Sequence, residues 1–346
     1  MNDRLDSIQA LRAFAATLVV FTHCKSHLVG FKVKYGIGDA WLNMIDSSGI
    51  GQCGVDIFFV ISGFIMALVT KNMHKRKGAT WSFIKKRLIR IYPPYWIWTT
   101  LLLSLLLFFP HLFQVRTFEL REAFLSYLLI PYTPSGSNTS PVLSVGWTLH
   151  FELYFYFLVS MGLWLGRKFF IILLGALFLI TTVLFPLGGN AIAALISNKL
   201  MWEFFGGYLL FELYNSGKTI PGYLSFIIFL ASLAGFYYSA EHMLTPQRFL
   251  YVGVPAILLV LSVICATKTL NIKIPRFLTF LGDSSYTIYL SHLVTMPAVA
   301  QIFVFVGLHK ILPPDLQIIL YMMAAVIIGS IIYMLTEKPL INFLKK

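Results

Sequence analysis

The chain is predicted to be all-α: a polytopic membrane bundle of about ten transmembrane helices with both termini on the inner side. Three observations predict it. Hydrophobic residues make up 58% of the 346 positions and charged ones 12%, with a mean hydropathy of +0.78, more apolar surface than a soluble domain of this length can bury. Ten apolar stretches are each long enough to cross about 30 Å of hydrocarbon: 8–28, 50–70, 91–109, 146–166, 169–186, 200–214, 222–240, 250–267, 281–306 and 316–336. Of the 27 Lys and Arg residues, 19 then fall on the side of the N-terminus and 8 on the other, the asymmetry expected when that side is cytoplasmic. The net charge of +13 follows from that topology, so nucleic acid is not an expected partner.

The first stretch carries Arg12 and His23. Eleven helical steps bring both side chains to one face, about 16 Å apart along the axis. Ionisable groups in hydrocarbon are costly and are usually kept where they face an interior cavity; the alternative is that each snorkels to its nearer surface. With Arg12 present and no small-residue cleavage site, this stretch reads as a retained helix rather than a signal peptide.

The second stretch opens with Asp56 near the outer surface and holds Ser62 and Gly63 farther in, a small pair that permits close helix contact. The inner loop 71–90 follows. Lys75, Arg76 and Lys77 are ordinary inner-side cations, whereas Arg87 and Arg90 abut the apolar wall. At i, i+3 they point the same way in a helix and can fork onto phosphate. The outer connection 110–145 contains a Pro/Gly/Ser-rich run over 131–141 that forbids a regular helix, and it is either a substrate lid or a plain connector.

The fourth stretch begins with Trp147 and carries Glu152 about two turns in, level with His23 in the outer half. A His23–Glu152 pair across the bundle is therefore expected. His150 points elsewhere, about 200° from Glu152. Late in the chain, Tyr286, Tyr289 and His292 stand in one span, with packing as the simplest role for the two tyrosines and His292 as a reserve base. Cys24 and Cys53 both fall near the outer face, where a disulfide or two inert small residues are the alternatives, and Cys265 is plain core. There is no CxxC, HExxH or Walker loop, so no metal is expected. No linker, repeat or low-complexity run divides the chain, so 1–346 reads as one domain.

These blocks together carry a resemblance. Arg12 followed by ten residues and His23, the run Gly54–Phe64, Arg87-Leu-Ile-Arg90, Trp147-Thr-Leu-His-Phe-Glu152, Gly282 through Tyr286 and Tyr289 to His292, and the Glu337-Lys-Pro tail resemble the acyltransferase 3 family of integral-membrane O-acyltransferases, in order and over essentially the whole chain. The nearest likeness is to short members that acetylate exopolysaccharide or O-antigen sugars. The resemblance implies a multi-pass protein of the bacterial inner membrane that moves an acyl group, usually acetyl, from cytoplasmic acyl-CoA to a carbohydrate hydroxyl outside, and it implies that Arg12 and His23 are needed. His150 departs from the small or hydroxylated residue common there. No SGNH-type domain follows Lys346, so the membrane core would finish the transfer itself or pass the acyl group to a separate protein.

The residues agree with that chemistry. A sugar hydroxyl needs a base, whereas a coenzyme A thiol, with an ordinary pKa near ~8.5, leaves readily. His23 is expected to be that base, directly or through an acyl-enzyme, with Glu152 orienting its ring. Arg12 would hold the donor's phosphate or polarise its carbonyl, and Arg87 and Arg90 would bind the nucleotide end of acetyl-CoA. Asp56, Trp147, Tyr286 and His292 are the expected acceptor contacts. The expected partners are acyl-CoA, a carbohydrate or lipid-linked saccharide and the bilayer, with a second copy of the chain or a polysaccharide-assembly protein as further candidates. The competing class is a transporter or flippase of a lipid-linked saccharide, which would use the same buried charges to line a path.

Overall fold

The computed structural model describes residues 5–36, 38, 48–109, 119–133, 141–239, 245 and 247–344, and all regular structure among them is helical. In chain order the helices are α1 (Asp6–Tyr35), α2 (Ser48–Thr70), α3 (Ala79–Phe108), α4 (Leu120–Tyr127), α5 (Trp147–Gly162), α6 (Arg167–Leu179), α7 (Ala191–Ile196), α8 (Met201–Asn215), α9 (Gly222–Tyr238), α10 (Val254–Thr269), α11 (Arg276–Phe305), α12 (Leu308–Ile311), α13 (Pro314–Ile332) and α14 (Lys338–Leu344). Among the described residues, seven helical segments are long and apolar enough to cross a membrane: Asp6–Lys32, Gly51–Thr70, Ala79–Phe108, Arg167–Leu184, Phe249–Thr269, Arg276–Phe305 and Pro314–Leu344. The three remaining stretches expected to span correspond to α5, α8 and α9, helices of 16, 15 and 17 residues. They are shorter than the ~20 residues a perpendicular crossing takes.

Side chains on the outside of the bundle are apolar. Ile172, Phe226 and Phe305 are 70%, 60% and 90% exposed, a belt that water would penalise and lipid tails accept.

Contacts fix the directions of the central helices. Gly282 of α11 lies against the backbone of Gln9, and His292 of α11 meets His23, so α1 and α11 run parallel. The opposite sense holds for α2, because Gly51 packs on Thr22 while Gly54, farther along, packs on Ala15. Phe59 stacks on Phe204 and Phe64 meets Phe211, which sets α8 parallel to α2. These crossings are close because glycines make them: a Cβ on Gly63 would stand 1.9 Å from the Phe204 carbonyl oxygen, and one on Gly207 1.9 Å from that of Val60. Backbones approaching at small residues are the usual way apolar helices associate in lipid.

Helix α3 begins well before the apolar stretch that predicts it and runs through Pro93 and Pro94. Its amphipathic first turns expose Trp81, Lys85 and Lys86 and carry Arg87 and Arg90 inward. Of the connection 110–145, residues 110–118 and 134–140 lie outside the described set. The remainder is pinned to α3, since Tyr92, Tyr95 and Trp96 donate to the carbonyls of Leu128, Ser126 and Tyr127 at 2.9, 3.0 and 2.8 Å.

Candidate active site

Among the cavities lined by described residues, two hold the ionisable side chains of α1, one at Arg12 and one at His23. The first, of about 110 Å³, is walled by α1, α2, α3, α5 and α11 and lined by Arg12, Arg87, Arg90, Ser62, Glu152, Tyr156 and Tyr286 among apolar side chains. Three guanidiniums thus share one small space. Arg87 and Arg90 do face the same way, as their spacing predicts. The Nε of Arg87 is buried with no partner, its guanidinium resting near the rings of Phe83 and Tyr156 at 5.8 and 5.9 Å. Arg12 donates to the Oε1 of Gln9 at 3.2 Å and lies in the fields of Arg90, Glu337, Asp283 and Glu152.

Glu337 comes from a wide turn, Tyr333–Glu337, where α13 passes into α14. It is 2% exposed, accepts from the Thr287 hydroxyl and keeps its Oε1 unpartnered. An extra-residue turn of this kind re-aims a side chain, and such turns gather at functional sites. The sequence marks Glu337 only as part of a resemblance. Its acidic side chain in an otherwise apolar run was the available signal.

The second cavity, of about 420 Å³, is lined by His23, Thr22, Ser26, Gln52, Ser144, Trp147 and Arg248 among others. His23 lies in α1 with its Nδ1 2.9 Å from the Val19 carbonyl. A carbonyl only accepts, so Nδ1 carries the proton and Nε2 keeps its lone pair. His292 packs edge-on at 4.8 Å between ring centroids. It is fully buried, with Nδ1 3.3 Å from the Ile288 carbonyl and Nε2 without a partner.

Two expectations need correcting. Glu152 does not meet His23. Its carboxylate accepts from Ser62 at 3.2 Å and from the Tyr156 hydroxyl, placing it in the arginine cavity, and the ring packed against His23 is that of His292. Asp56 is not open to an acceptor either: it is 0% exposed and clamped by Arg248, whose Nε and Nη2 donate at 3.1 and 2.8 Å. Glu203, also fully buried, lies in the field of this pair. The carboxylate of Asp56 is thus occupied, and Arg248, read in the sequence only as a cation of the outer side, lines the histidine cavity in its place.

The other expected residues fall as follows. Trp147 lines the histidine cavity. Tyr286 lines the arginine cavity with its hydroxyl donating to the Ile91 carbonyl at 2.9 Å. His150 is buried in α5 and lines neither cavity. Cys24, Cys53 and Cys265 are buried and no disulfide joins them among the described residues, and the Cys53 sulfur lies 3.8 Å from the Ser239 hydroxyl. Among the described residues, no group of three His, Cys, Asp or Glu side chains is placed to hold a metal ion.

An apolar-jacketed helix bundle with a cationic cavity backing onto a histidine-bearing one defines an integral-membrane protein with an internal polar site. Residues 5–334 match the acyltransferase 3 family, described as an acyltransferase domain, and the chain belongs to that family. It is also 31% identical over 300 residues to the exopolysaccharide production protein ExoZ of Rhizobium meliloti (strain 1021), an alignment that takes in 85% of this chain and 90% of that protein. No solved structure matches it.

Proposed function

We propose that this chain is a bacterial inner-membrane O-acyltransferase that moves acetyl from cytoplasmic acetyl-CoA to a hydroxyl of an exported polysaccharide or its lipid-linked precursor. In this reading the ten apolar stretches all span, both ends are cytoplasmic, and 1–346 works as one domain. The observation that carries it is the pair of back-to-back cavities, arginine-lined on the side of the N-terminus and histidine-lined on the other, which touch at Val55 and Tyr289. The relative named for exopolysaccharide production favours a polysaccharide acceptor.

The donor enters from the inside, its phosphates held by Arg87, Arg90 and Arg12 as charge-assisted hydrogen bonds. Glu152 and Glu337 offset the mutual repulsion of the three cations. The acceptor enters the wider cavity, where Trp147 offers an apolar face to a sugar ring and Arg248 a hydrogen-bond donor. Nε2 of His23 takes the hydroxyl proton as the oxygen bonds to the thioester carbonyl carbon. The carbon–sulfur bond then breaks, and the proton passes from His23 to the departing thiolate, leaving ester and free thiol. A flippase would use the same buried charges to line a path; the match to an acyltransferase domain over residues 5–334 favours the enzyme.

Mass spectrometry of surface polysaccharide from cells with and without this gene tests the reading. A base-labile acetyl mass is expected only with the gene, and purified protein in nanodiscs should release free coenzyme A in step with acceptor acetylation. No mass difference and no thiol release would overturn it. A cysteine at Lys75 should be shielded from impermeant reagents in intact spheroplasts and one at Lys310 labelled; the reverse pattern would invert the orientation.

A further inference from the structure

We infer that Val55 and Tyr289 form a rigid septum between the two cavities and set the length of acyl chain the protein transfers. This rests on the acyltransferase reading above and adds to it the residues that choose the donor. Val55 and Tyr289 are the two side chains that line both cavities, so the acyl group meets the acceptor between them.

Neither can retreat. The Tyr289 hydroxyl donates to the Val145 carbonyl at 2.8 Å, a group on the histidine side, and is 2.9 Å from the Thr148 hydroxyl, a group on the arginine side. Its ring is therefore a tethered bar from α11 to α5. Val55 faces it from α2, where the backbone is held on both sides of the residue. A Cβ on Gly54 would already stand 2.5 Å from the Ala15 carbonyl oxygen, and Asp56 is clamped by Arg248. Packed interiors do not stretch to admit an extra methylene, so an aperture fixed by two anchored side chains discriminates by size. Each further methylene on the acyl group has to displace the septum or press into the space of the acceptor sugar, and one methylene too many in an apolar slot costs about 10–200-fold in kcat/KM.

The test is a donor series of acetyl-, propionyl- and butyryl-CoA with wild-type protein, Val55→Ala and Val55→Leu in nanodiscs. The readout is the ratio of kcat/KM for each longer donor to that for acetyl-CoA. Each variant is its own reference, so partial unfolding leaves the ratio untouched while a change of aperture moves it. Wild type should prefer acetyl by at least about tenfold per methylene. Val55→Ala should raise the propionyl-to-acetyl ratio about tenfold or more, and Val55→Leu should lower it; should one variant fail to fold, the other still decides. Tyr289→Phe, which keeps the ring and cuts both tethers, should raise the ratio without a volume change, an effect that simple space-filling would not produce. Transfer from acetyl-CoA with ratios unmoved in every variant overturns the septum and leaves the acyltransferase reading standing. No transfer from any of the three donors by wild-type protein overturns that reading instead.

Discussion

Among the described residues, His23 is the side chain that brings a ring nitrogen from α1 to the lining of the wider cavity, and replacing it with Ala removes that nitrogen. The Nδ1 of His23 is committed to the Val19 carbonyl, so all of its basicity toward an acceptor resides on Nε2. No neighbour can take over. His292 touches the ring but is itself 0% exposed, and Glu152 is engaged with Ser62 and Tyr156 in the other cavity. The loss should therefore span the full general-base range, roughly 10²–10⁴ in kcat, or about 3–5 kcal/mol of barrier at 1.36 kcal/mol per decade. Donor binding should be unchanged, because the arginines stand apart from His23. The assay is transfer of labelled acetyl from acetyl-CoA in nanodiscs, with folded protein confirmed by gel filtration and donor affinity measured separately. Because the cavity is about 420 Å³ before the ring is removed, added imidazole should enter and restore part of kcat in a saturable way. His292→Phe keeps the edge-on ring contact and should cost less than tenfold. A folded His23→Ala protein retaining more than a tenth of wild-type kcat would refute the assignment, and an equal loss in His292→Phe would move the base to α11.

Arg87→Ala with Arg90→Ala should weaken acetyl-CoA binding by at least tenfold, since hydrogen bonds to charged groups contribute ~1.5–3 kcal/mol each, with a steeper loss at low salt; titration calorimetry showing unchanged affinity would remove both from the donor site. Gly63→Ala should destabilise the bundle by about 1–3 kcal/mol, the usual penalty of overpacking, because its Cβ would collide with the Phe204 carbonyl, whereas Gly188→Ala, with open space around it, should leave the thermal midpoint in detergent unchanged. Arg248→Met should cost roughly 3–5 kcal/mol by leaving the Asp56 carboxylate buried without its partner, and adding Asp56→Asn should recover much of that midpoint; no recovery would mean that Arg248 acts through packing rather than charge.

The helices were legible in the sequence because lipid imposes one rule on every span: all ten apolar stretches fall on helices. What the pattern could not give was where each helix ends. Residues 79–90 are too cationic to read as apolar, yet they are continuous with α3, because an amphipathic turn at the bundle's edge can expose Lys85 and Lys86 while Arg87 and Arg90 turn inward. Periodicity likewise placed Arg12 and His23 on one face, and the structure puts each in a cavity along it.

Pairing across helices is a different problem, and there the sequence misled. Depth along a span is readable to within a turn, so His23 and Glu152 looked level, but which faces meet is decided by where backbones can touch. Gly51 and Gly54 draw α2 against α1, and Gly282 draws α11 against it. His23 therefore finds His292, and Glu152 finds Ser62 on the arginine-cavity side of Tyr289. Asp56 shows the same limit. A carboxylate near a span's outer end reads as a contact for the acceptor, and only the approach of Arg248, 192 residues later, shows it to be a buried anchor. That anchor has a consequence for the chemistry: by fixing the end of α2 it holds Val55 at the boundary of the two cavities. In the proposed mechanism the donor and acceptor sides therefore meet at a place set by an ion pair that would contact neither the thioester nor its base, and transfer would depend on helix placement as much as on the histidine.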